Sequence, residues 1–138
     1  MEFENQTQAY EALKFWKHLL FIDHWIVKIS FVEKGGCNFK NTENNGLNEF
    51  VISHCASHIK LENPTEDSKG RIVKCCQEQI LIHELLHLKY NWVMNTDTYE
   101  GKFLEESEHQ LLEQMSRSLL IARYNLTPDW FINFKTEE

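Results

Sequence analysis

The stretch "ILIHELLHLKY", residues 80–90, carries two histidines four positions apart, with a glutamate directly after the first. On a helix, residues i and i+4 stack on one face. His83 and His87 can therefore present their imidazoles to the same point, and neutral imidazole is a standard zinc ligand at about 2.0–2.1 Å. Glu84 falls about 100° round the helix from His83. There it is placed to take a proton from a water polarised by the metal and to pass it to a leaving amine. The three residue types at this spacing spell metal-assisted hydrolysis. The bland alternative is a solvated polar patch, but aliphatic residues flank the histidines on both sides. An imidazole without a partner is costly in such surroundings, and one metal ion would satisfy both.

A catalytic zinc site takes three protein ligands and keeps one open position. The candidates for the third are Glu105, Glu106, Glu108, His109 and Glu113. They sit on a second helix, predicted from about Phe103 to Tyr124. Its apolar periodicity gives an inward stripe of Leu104, Leu111, Met115, Leu119 and Ala122, which position 108 completes. Glu108 is thus the acid predicted on the buried face, where a carboxylate needs a cation. Glu105 ranks second, at the stripe's margin, and His109 third. Glu106 and Glu113 are assigned to the opposite, polar face. A helix-start acid favoured by the helix dipole is the non-metal reading of Glu108.

The elements that must hold these residues can be read coarsely. Residues 6–20 form a helix, with Ala9, Leu13, Trp16 and Leu20 at helical spacing and Asn5 or Thr7 as its cap. Trp25, Val27, Ile29 and Phe31 alternate with more polar neighbours, which is a half-buried strand. Residues 37–46 are turn-rich. Two further strands follow at about 47–54 and 57–61, with a bend near 55–57. Residues 72–90 make a helix whose second half is apolar almost all round, the mark of a central helix packed on several sides. Pro128 closes the last helix, and "DWFINF" docks through Trp130, Phe131 and Phe134. Helix, strands, helix, helix is an α+β domain with a small antiparallel sheet of about three strands.

Composition bounds the rest. The chain has 138 residues, 42% hydrophobic, which suits one globular domain over 1–138. A net charge of −7 argues against general nucleic-acid binding. No apolar run reaches the ~18 residues of a membrane span, and the acidic start lacks a signal peptide's pattern. The expected compartment is cytoplasmic. Cys37, Cys55, Cys75 and Cys76 form no C-x-x-C pair, so a disulfide framework is not expected, and Cys75-Cys76 read as small buried packing residues.

"HELLH" followed by a glutamate on a later helix resembles the zincin metallopeptidases of the glutamate-ligand (gluzincin) type. "EHQLLEQMSRSLL", residues 108–120, is similar to the E-x-x-A-N-x-x-A helix of ImmA/IrrE-type peptidases, with Glu108 in the ligand position. The layout, including the "DHWIVKIS" strand, looks like that of short HELLH proteins of phages and mobile elements. Leu111-Leu112 depart from the small residue and asparagine of the ImmA/IrrE helix. SprT-like proteins also carry HExxH, with a histidine as third ligand, which keeps His109 in play. The resemblance implies a minimal Zn2+-dependent metallopeptidase acting on a restricted peptide or protein substrate. His83, His87 and Glu108 would hold the metal, with Glu84 as base. It implies that a strand near the site pairs with bound peptide; "CASHIKLE", residues 55–62, is the candidate, with His54 or His58 beside it. Tyr90, Tyr99 and Tyr124 are candidate oxyanion donors. The alternative is a non-catalytic zincin-like zinc-binding protein that acts as a protein–protein interaction module.

Overall fold

A computed structural model of the chain describes residues 1–33, 37, 46–63, 76–91 and 99–132, with side chains from 106 onward in the last span. The fold is α+β. Helix α1 (Gln6–Leu19) is followed by strands β1 (Ile26–Val32), β2 (Gly46–Val51) and β3 (Ala56–Glu62), then helices α2 (Gln77–Tyr90) and α3 (Tyr99–Tyr124). The described residues also include two 3-10 turns, Ile52–His54 and Pro128–Phe131.

The Asn5 side chain accepts a hydrogen bond from the Gln8 backbone N–H at 3.0 Å and caps α1. Ala9, Leu13 and Trp16 are its buried stripe. On β1 the alternation holds: Val27 and Ile29 are buried, while Ile26 and Lys28 face out. β2 turns into β3 through Ile52–His54 and Cys55, whose φ of 46° is left-handed for a non-glycine residue. The backbone carbonyl of Cys55 then receives the Ile26 N–H at 2.8 Å, which joins the start of β1 to the turn.

The sheet is mixed, in the order β1-β3-β2, and differs in one pairing from the antiparallel sheet expected. β2 and β3 are antiparallel, as a tight turn requires, but β1 runs parallel to β3 on its other side. The last strand inserts between the first two. The expectation that residues 55–62 form the open strand is therefore corrected. β3 is central and paired on both sides; among the described residues β1 and β2 are the edges.

α2 lies at the centre, touching α1, β2, β3 and α3. Residues 77–86 and Leu88 are all buried, which is why the apolar residues run round its whole circumference. Gly46 lets β2 come close to it. A Cβ there would collide with the Ile80 Cγ2 atom and stand 3.5 Å from Glu84 Oε1. Two residues on, Asn48 Nδ2 donates to the Glu84 carbonyl at 3.0 Å. Two strand residues and one helical turn cover about 6 Å each, so β2 and α2 run alongside in step.

α3 is rotated from its predicted face. The buried line is Glu108, Leu112, Ser116 and Leu120, and Leu111 is 45% exposed. Ser116 is tolerated inside because it accepts from Gln79 Nε2 at 2.7 Å and donates to the Glu113 carbonyl at 3.0 Å. The consequence is that the neighbouring line of 109, 113 and 117 borders α2 rather than open solvent. At the C-terminal end Phe131 is buried and Trp130 partly so, as expected of a docked tail, while Phe134 lies outside the described residues. No helix among the described residues is long and apolar enough to cross a membrane.

Candidate metal centre

His83 and His87 project from successive turns of α2, and their Nε2 atoms stand 3.1 Å apart. Their other ring nitrogens face carboxylates of α3. His83 Nδ1 is 2.7 Å from Glu113 Oε1, and His87 Nδ1 is 3.4 Å from Glu108 Oε1. With each ring's proton on the Nδ1 that faces a carboxylate, both Nε2 lone pairs would be free to meet one ion. Without an ion, a proton on one Nε2 is donated to the other. Two ligands of a tetrahedral zinc ion at its usual bond length are about 3.3 Å apart, close to the separation found.

A third nitrogen is at hand. His83, His87 and His109 each offer a ligand atom, all lying within 4.8 Å of one another, so this group could hold a metal ion. The His109 ring stacks on that of His83 with centroids 5.6 Å apart, and is edge-on to His87 at 4.9 Å. Of the three, His83 is buried, His87 half-buried and His109 exposed.

Electrostatics separate the two motif histidines. Burial pushes His87 down to about 3, helped by His83 and His109 beside it, which keeps it a neutral imidazole. Burial also pulls His83 down, but Glu113, Glu84 and Glu108 outweigh it and hold the ring above its ordinary value. Glu113 itself is disfavoured by burial, yet His83, Arg117 and Gln79 hold it below the usual carboxylate range. Glu84 is buried against β2, and burial lifts its carboxyl to about 7, opposed by His83 and reinforced by Glu113.

No protein-family model, no curated protein and no solved structure matches the chain. The site must be judged on its geometry. Of the residues singled out in the sequence, the fold brings His83, Glu84 and His87 together as the helix spacing requires. It brings His109, the lowest ranked of the three third-ligand candidates, into the nitrogen cluster. It places Glu108, ranked first, on the Nδ1 side of His87, buried between the helices. The side chain of Glu105 lies outside the described residues, as does that of Tyr99. Glu113, assigned to the polar face, is corrected: the rotation of α3 puts it against His83. The signal was present as the i, i+4 series 105, 109, 113, 117, a polar line beside the core line.

The other candidates are placed elsewhere. His58 shares a sheet face with Lys28 and Glu49 by register and hydrogen-bonds Ser30 Oγ at 2.7 Å. That face is opposite the one on which Asn48 reaches α2. His54 is exposed in the turn after β2. The Tyr124 hydroxyl donates to both oxygens of Glu78, at 2.9 and 2.8 Å, two turns before the metal-binding end of α2. Cys76 is buried, while Cys75 lies outside the described residues.

Proposed function

We propose that the chain is a minimal zinc-dependent metallopeptidase. The ion is held by His83, His87 and His109, and Glu84 is the general base. The observation that carries this reading is the pair of Nε2 atoms facing at 3.1 Å, with a third imidazole beside them and both Nδ1 atoms turned to carboxylates. Three nitrogen ligands leave a fourth position for substrate chemistry. When bound, the ion would supply Lewis acidity, polarising a peptide carbonyl and lowering the pKa of water.

The chain's own residues supply the rest. Glu84 takes a proton from the attacking water and delivers it to the departing amine. A carboxyl near neutrality suits both halves of that task, and burial holds Glu84 at about 7. β2 runs past Glu84 as an edge strand whose far side is unpaired among the described residues. An extended peptide can add to such an edge through its backbone. Phe50 and Val51, both exposed on β2, would give that surface an apolar end. The small domain, with one edge strand beside Glu84, favours a restricted peptide or protein substrate over general digestion.

The test is Glu84→Gln in the zinc-loaded protein. Zinc content should stay at the wild-type level while peptide hydrolysis is lost. Turnover retained in that variant removes Glu84 from the mechanism. Wild-type protein that binds zinc yet cleaves nothing in a proteome-derived peptide library supports the interaction-module reading instead. His109→Ala and Glu108→Ala, compared by zinc titration, test the ligand set. His109→Ala should weaken binding more; the reverse order restores Glu108 as third ligand.

A further inference from the structure

We propose that Glu113 is the positioning residue for His83, clamped in place by Arg117 and Gln79. The inference rests on the metal reading of this site and adds a layer to it. Glu113 is 37% exposed at its side chain, and a glutamate so placed on a helix ordinarily samples many rotamers. Here both its oxygens are engaged. Oε1 stands 2.7 Å from His83 Nδ1, within ion-pair reach of a buried atom that has no hydrogen-bond partner of its own among the described residues. Oε2 receives Arg117 Nη2 at 2.9 Å and Gln79 Nε2 at 3.3 Å. Gln79 is fixed in turn by its bond to Ser116 Oγ at 2.7 Å.

The donors come from both helices. Gln79 lies one turn before His83 on α2, and Arg117 one turn after Glu113 on α3. The Arg117 guanidinium lies 6.0 Å from the centroid of Phe131, which is buried. A chain of contacts thus runs from the last 3-10 turn through Arg117 and Glu113 to one imidazole of the metal centre. A carboxylate on the distal nitrogen of a ligating histidine fixes which nitrogen keeps the proton and how the ring is aimed. In this chain it keeps the proton on His83 Nδ1 and leaves Nε2 to the ion. The carboxylate at His87 is looser, at 3.4 Å, so the two histidines are not held equally.

Zinc competition titrations against a chromophoric chelator, with Co2+ spectra of the full chain, test this. Glu113→Ala should weaken zinc binding about 10–100-fold while the visible Co2+ bands keep their tetrahedral form. Glu113→Gln, which retains an acceptor, should lose less. Arg117→Ala should weaken binding several-fold and Arg117→Lys should recover part of it. Zinc affinity unchanged in Glu113→Ala overturns the proposal and leaves the metal reading standing. A changed Co2+ coordination spectrum also overturns it, because Glu113 would then be a ligand. Wild-type protein that binds no zinc overturns both. Should the variants fold poorly, histidine 15N NMR of the zinc-loaded wild type decides. His83 must be bound through Nε2 with the proton retained on Nδ1; ligation through Nδ1 refutes the assignment.

Discussion

Helix α2 carries two buried glutamates, Glu78 and Glu84, in opposite situations. Glu78 collects the Trp16 indole N–H at 2.9 Å, the Tyr124 hydroxyl on both oxygens and the Met1 ammonium at 3.0 Å. Its charge is met from α1, α3 and the first residue at once. Glu84, under similar cover, has its carboxyl raised to about 7 by burial, and among the described residues no hydrogen bond contributes to hold the charged form. A satisfied buried carboxylate rigidifies a fold, whereas one left short of donors is ready to take up a proton. The same residue type thus serves as an anchor at one end of the helix and as a reactive group at the other.

The contrast can be broken at either end. The largest effect is expected from Glu84→Gln. It should lower peptide hydrolysis by about 10²–10⁴-fold with the thermal midpoint unchanged or raised, read by peptide turnover and by calorimetry. A large loss of stability there would make Glu84 a second anchor. Glu78→Ala should do the reverse and cost about 1–3 kcal/mol in urea unfolding, since it strands the buried Trp16 indole N–H and removes the partner of the Tyr124 hydroxyl and the Met1 ammonium. Zinc stoichiometry of the folded fraction should be preserved. Between the two carboxylates, Gly46→Ala should destabilise by about 1–3 kcal/mol, because its Cβ meets Ile80. It should also move β2 away from Glu84, which peptide KM reports.

The smallest effect concerns Cys37, buried and hydrogen-bonded to the Lys60 carbonyl. Burial first, then the charges of Glu62 and Glu84, push its thiol up to about 11. A pKa raised on folding means stability intact below about pH 9 and lost as pH rises towards 11. Alkylation at pH 8 should accordingly be slow in native protein and fast in urea, as peptide mapping would show. Fast native labelling would mean that Glu84 and its surroundings are more open than described.

The sequence made the body of α2 legible because an HExxH spacing and a continuous apolar run agree there, although the helix expected to include Cys76 begins only at Gln77, after Cys76 in extended conformation. The α1 stripe and its Asn5 cap were equally clear, as was the bend between the second and third strands. α3 was harder. Leu111-Leu112 and Leu119-Leu120 fit two alternative stripes, and Ser116 reads as a surface residue until its partner Gln79 is known. A rotation of one position moved Glu113 to His83 and His109 into the cluster. Sheet order was hidden for another reason. Alternation along 26–32 reports a buried face, but β1 pairs with β3, not with its neighbour in sequence, and no local pattern encodes that choice. The use of Glu78 was likewise invisible, because its donors come from positions 1, 16 and 124.

The insertion of β3 between β1 and β2 has a consequence for the order of assembly. β2 and β3 meet across a turn of four residues, Ile52 to Cys55, so their contact closes early and at little entropic cost. Ile26 must find Ala56 from the far side of the intervening chain, and such non-local parallel pairing is slow. The hairpin should therefore template the first strand, although it is made later by the ribosome. Pulse-labelled hydrogen exchange should find β2 and β3 amides protected before those of β1; simultaneous protection would mean that the sheet condenses in one step.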